Sequence, residues 1–201
     1  MAKANCGVNV TKLGKYIKRE KAKNRPVWLF GVTEGGDDME YVLLVSSYLT
    51  LRVPRMLYGE IVQPCTLTDA PKNGEGKNLL GTGGDWSSMP DTVRRMVRDA
   101  EKPVYDTAFT VEIPAKKTVG GARIYTLEDG TAIAVDTEYA GIFTGEPRLH
   151  GSGYCGPVVF DGPYGVQGLV LPIRISAEKR ECANAVCAAF LKTAGVAQAV
   201  A

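Results

Sequence analysis

Histidine is almost missing from this chain: His150 is the only one among 201 residues. That scarcity excludes any site built on two imidazoles and leaves one side chain whose ordinary pKa lies near neutrality. Cysteine is present but not patterned. Cys6, Cys65, Cys155, Cys182 and Cys187 form no Cys-x-x-Cys pair, and with one histidine they lack the ligand spacing of a zinc site. Their odd number and wide scatter fit free thiols in a reducing compartment better than a disulfide framework. No cofactor or metal is expected. Long apolar runs are also missing, since none nears the roughly 20 residues that cross a bilayer. The N-terminus is too basic and too poor in apolar residues for a secretory leader, so a soluble protein without membrane contact is expected.

Acid is scarce at one end only. Over residues 1–25, Glu20 is the single acid against Lys3, Lys12, Lys15, Lys18, Arg19, Lys21, Lys23 and Arg25. The remainder is therefore net negative, because the whole chain balances 24 Lys and Arg against 22 Asp and Glu. Such an arm can neutralise phosphates on RNA. Val10, Leu13 and Ile17 recur within it at helical spacing, so a solvated helix face is the competing reading.

Beyond the basic segment the chain is rich in short β-type runs. Val27 to Val32 and Tyr41 to Val45 flank a Gly-Gly-Asp-Asp turn at 35–38 and read as a hairpin. An apolar run from Met56 to Val62 precedes a Gly-rich stretch, 72–85, that reads as a long exposed loop. A helix is expected from Asp91 to Glu101, with Val93, Met96, Val97 and Ala100 on one stripe and Arg94, Arg95 and Arg98 off it. Strands return at Ala108–Ile113, Ala122–Leu127, Thr131–Val135 and Tyr139–Phe143, with Asp129-Gly130 turning between the second and third. Val158–Phe160 and Val166–Ile173 form a further hairpin. A closing helix starts near Ser176 and stops near Gly195, with Cys182 and Cys187 as packing residues.

The most chemically suggestive segment is Gly151-Ser152-Gly153-Tyr154-Cys155-Gly156, which runs at once into Pro157-Val158-Val159-Phe160. Glycines on both sides of a cysteine let consecutive N–H groups converge on one point, the geometry of an oxyanion hole. The pattern points to acyl transfer. A thiol nucleophile needs a base, however, and the lone His150 stands only five residues earlier. The plain alternative is a tight turn whose thiol packs.

With these residues in view, the chain resembles the chymotrypsin-like proteases of positive-strand RNA viruses, especially the picornavirus-type cysteine enzymes. Gly153-Tyr154-Cys155-Gly156 looks like the family's Gly-x-Cys-Gly nucleophile motif, and the run to Asp161 followed by Gly165-Val166-Gln167-Gly168 looks like the strand, turn and strand after it. Tyr105-Asp106-Thr107 resembles the segment carrying the acidic triad member. Tyr48-Leu49-Thr50-Leu51-Arg52-Val53 resembles the segment carrying the catalytic histidine, with Arg52 at or beside that position. The resemblance spans roughly residues 27–192. It implies Cys155, Asp106 and Arg52 as the triad positions, with Gly153, Tyr154 and His150 in the oxyanion and pocket loop.

The resemblance also implies a mainly β fold: a chymotrypsin-like double antiparallel β-barrel with N- and C-terminal helices. The expected divisions are a basic N-terminal helix or arm at 1–26, a first β-barrel lobe at 27–89, a connecting helix at 90–102, and a second β-barrel lobe with the C-terminal helix at 103–201. An arginine stays protonated and cannot pass a proton on. The expected function is therefore a degenerate protease-fold protein serving as a structural or binding module of a virus particle or replication complex, in host cytoplasm or virion. Its partners would be a viral protein or polypeptide and, through the arm, RNA; a homo-oligomer is left open. Two alternatives remain: an active cysteine endopeptidase acting through Cys155, and a jelly-roll coat protein with an RNA-contacting arm.

Overall fold

The computed structural model describes residues 6–33, 40–81, 83–85, 104–106, 109–113, 121–126, 132–150 and 157–173. The expected turn at 35–38, the helix at 91–101, the Asp-Gly turn, the Cys155 segment and the C-terminal helix lie outside them.

Helix α1 (Val10–Ala22) begins where the Asn9 side chain accepts a hydrogen bond from Lys12 N, at 3.0 Å. Leu13, Tyr16, Ile17 and Glu20, spaced three and four apart, form its buried face. The helix ends as Asn24 turns into the left-handed region (φ 53°), and Pro26 cannot continue it. The N-terminal stretch is thus a packed element, with Leu13, Tyr16 and Ile17 inside the main core.

Among the described residues, twelve strands follow, in two antiparallel sheets. They are β1 (Trp28–Thr33), β2 (Glu40–Val45), β3 (Leu49–Pro54), β4 (Glu75–Asn78), β5 (Gly83–Asp85), β6 (Val104–Asp106), β7 (Phe109–Ile113), β8 (Ala122–Thr126), β9 (Ala132–Asp136), β10 (Glu146–His150), β11 (Val158–Asp161) and β12 (Gln167–Val170). Nine form one sheet in the order β5-β4-β1-β2-β3-β12-β11-β10-β6, and the other three form β7-β8-β9. The expectation of a mainly β, antiparallel protein holds. No closed barrel forms among the described residues. The reason is local: β3 spends its second edge on β12, with Leu49 opposite Val170 and Arg52 opposite Gln167, so strands from the two expected lobes share one sheet.

Alternation along the strands explains the core. Leu29, Leu44, Leu49, Leu51 and Val53 point to one face and are fully buried with α1 and the second sheet's Tyr125, Ile133 and Val135. Each such side chain contributes about 1.5–3 kcal/mol of burial. Phe30, Leu43 and Val45 point the other way and are buried too, packed with Trp28 and Val32. Burial on both faces is why Tyr41 to Val45 reads as an unbroken apolar run. Gly168 is required by close approach, because a Cβ there would fall on the Phe143 ring, which stacks on Phe160.

Two expectations are corrected. The stretch at 72–85 is not a bare loop: β4 pairs with β1 and β5 with β4. Nor is Tyr139–Phe143 a strand. The Asp136 side chain accepts from Glu138 N at 2.8 Å and starts a short helix, α4 (Thr137–Ala140), leaving Phe143 a lone bridge to Val8. Between β3 and β4 the Met56–Val62 run folds as α2 (Tyr58–Ile61) after a turn of 3₁₀ helix, followed by α3 (Gln63–Thr66).

Candidate functional site

Arg52 stands on the face of β3 opposite to Leu51 and Val53. Its guanidinium lies over the Tyr41 ring at 3.9 Å, a cation–π contact within the sheet. Across the strands from it runs a polar band. Gln167, opposite Arg52, donates from Nε2 to Asp161 Oδ1 at 2.9 Å, and Asp161 also accepts from Arg148 Nε at 2.5 Å. Arg148 in turn is the register partner of Asp106.

Arg52 and Asp106 therefore share one sheet but stand on strands separated by β12, β11 and β10. Four strand spacings make about 19 Å along the sheet. His150 closes β10 beside Val104 of β6. Cys155, Gly153 and Tyr154 lie outside the described residues, in the connection that leaves β10 after His150 and enters β11 at Val158. Arg52 is level with Asp161, the other end of β11 and about 10 Å along the strand from Val158.

The two described thiols, Cys6 and Cys65, are free. Cys65 donates to Val10 O at 3.3 Å and Ile61 O at 3.4 Å, and burial pushes its thiol pKa up, away from the reactive thiolate. No group of three His, Cys, Asp or Glu side chains gathers to hold a metal among the described residues. No described helix is long and apolar enough to cross a membrane.

A second cluster, whose cations belong to the basic segment read as able to contact RNA, occupies the flank where α1 meets α4. A cleft of about 450 Å³ is lined by Lys12, Lys15, Tyr16, Arg19, Thr137 and Glu138. Tyr16 belongs to the buried stripe of α1, and Lys12, Lys15 and Arg19 flank it at helical spacing. Arg19 forms an ion pair with Glu138 and stands 5.4 Å from the Tyr139 ring and 5.6 Å from Tyr16. Tyr16 meets Tyr139 edge-on at 5.5 Å, and Tyr139 stacks on Tyr48 at 5.6 Å. Arg25 lies over Tyr48 at 5.7 Å.

Beneath this surface Glu20 is completely buried, with Arg19 at 3.5 Å and Arg25 at 3.6 Å. The Tyr16 hydroxyl shares a short hydrogen bond with Ser46. The basic half of the cluster is visible in the sequence as the run from Lys12 to Arg25. The aromatic half is not, because Tyr48 comes from the β2–β3 turn and Tyr139 from α4. Comparison with family models, with curated proteins and with solved structures found no match.

Proposed function

We propose that this chain is a binding module and not a working peptidase: a degenerate relative of the viral chymotrypsin-like enzymes, acting in a virus particle or replication complex. The observation that carries the reading is the setting of Arg52. A base at that position must accept a proton from the thiol and be oriented by the acid, both at hydrogen-bonding distance. Arg52 stays charged, is committed to the Tyr41 ring, and belongs to a strand separated by three others from that of Asp106. Its surroundings suit sheet cohesion better than proton transfer.

The test pairs a peptide-library cleavage assay with alkylation of Cys155 between pH 5 and 9. The expected outcome is no cleavage that depends on Cys155, and alkylation that rises only towards the ordinary thiol pKa of about 8.5. Arg52→His is expected to remain inactive, since an imidazole on β3 would still stand three strands away from the strand of Asp106. Cleavage by the natural chain that disappears in Cys155→Ala would establish the endopeptidase reading instead.

A further inference from the structure

We infer that the cleft between α1 and α4 binds single-stranded nucleic acid, with successive phosphates along Lys12, Lys15 and Arg19 and an unpaired base stacked on Tyr48. The inference deepens the binding-module reading by naming its partner. It uses none of the residues on which that reading rests, so the thiol assay and the assay below can fail separately.

The cations come first. Lys12 and Lys15 are exposed, and no carboxylate among the described residues lies within ion-pairing distance of either. Lys12 Nζ lies against the C-terminal end of α4, so closely that a Cβ on Gly141 would come within 3.0 Å of it. Lys23, also exposed, continues the row one turn beyond Arg19. From Lys12 to Lys23 the helix rises about 16 Å, which makes a track and not a point charge. A track of this kind suits a chain of phosphates.

The rings make the choice between a single strand and a duplex. Tyr16, Tyr139 and Tyr48 form a continuous aromatic row leading out of the cleft, and Tyr48 at its end keeps 39% of its surface exposed. Exposed tyrosine beside arginine, here Arg25, offers a base a π-face and a cation together. Bases can use such a platform only when unpaired. A duplex keeps its base faces stacked and would present only phosphates and groove edges. An anionic membrane surface would have no use for the planar stack.

Besides the buried Glu20, one exposed carboxylate pairs with Arg19 and stands in the way. Glu138, two-thirds exposed, occupies Arg19. The two non-bridging oxygens of a phosphodiester can accept a pair of guanidinium N–H bonds from Arg19 and would displace Glu138. Glu138 therefore restrains binding, and removing its charge should strengthen the complex.

The experiment uses the full chain with labelled 15-nucleotide rU and dT strands, a duplex of the same length, and vesicles containing phosphatidylserine. Single strands are expected to bind, with log K falling against log [salt] at a slope of about −2, as three neutralised phosphates require. Lys12→Glu with Lys15→Glu should abolish that binding. Tyr48→Leu should weaken it by about 5- to 100-fold with the slope unchanged. Glu138→Gln, an exposed change, should tighten it about 3- to 10-fold. In the unaltered chain, photocrosslinking to 5-iodouridine strands should mark the peptide carrying Tyr48, which needs no variant to fold. Equal binding of duplex or vesicles, indifference to Glu138→Gln, or crosslinks that never include Tyr48 would each overturn the assignment.

Discussion

Tyr16 shows how one side chain ties the basic helix to the sheet. Its hydroxyl is hydrogen-bonded to Ser46, its ring meets Tyr139, and only 4% of its surface reaches solvent. Burial, with a smaller contribution from the nearby Glu20 carboxylate, drives its pKa well above the ordinary tyrosine value of 10.0. Tyr58 and Tyr139 shift the same way, mainly by burial. A pKa raised on folding means that the unfolded chain gives up its proton first. The stability linked to Tyr16 is therefore fully present below about pH 10 and is lost as pH rises through the folded value, by up to about 1.4 kcal/mol per pH unit. Urea midpoints should decline above about pH 10. Tyr16→Phe should flatten that decline while costing about 1 kcal/mol at pH 7 through the lost hydrogen bond. An equally steep alkaline decline in the variant would show that Tyr16 is not its source.

Elements differ in how plainly their sequences announce them. Strands β1, β2, β8, β9, β11 and β12 are legible because β-branched and aromatic residues crowd short runs between turn signals. β10 is not, since Glu146, Pro147 and Arg148 read against an interior strand, although β10 is paired on both sides. β4 is hidden by its glycine and charges, and is held by pairing with β1 more than by its own propensity. The candidate site divides the same way. Its cations share one helix and one spacing, while its rings are joined by tertiary packing that no local pattern records. For α1 the decisive local residue is Asn9, which caps Lys12 N and also donates its own N–H to Ile142 O at 2.7 Å. Asn9→Ala should cost about 1 kcal/mol in a urea titration, and Asn9→Asp should recover most of it. Equal loss in both variants would place the effect outside the cap.

For the whole molecule, the basic segment is part of the fold. Deleting residues 1–26 removes Leu13, Tyr16 and Ile17 from the main core, a loss of several kcal/mol by burial alone. The truncated chain should be digested quickly by protease and lose its cooperative melting transition; a truncation that melts as sharply as the full chain would return α1 to the status of a free arm. The nine-stranded sheet sets a further condition, on the order in which the protein can be made. Strands β1 to β3 are complete early in synthesis, yet β3 has no neighbour on its outer edge until β12 arrives, with Leu49 waiting for Val170. Contacts so distant in sequence are slow to form, because closing the intervening loop costs entropy before any pairing offsets it. Until then the nascent chain carries an open, apolar strand edge, the template on which β proteins pair wrongly with one another. Synthesis of this protein is thus expected to pass through a chaperone-dependent interval that ends when the β11–β12 hairpin docks.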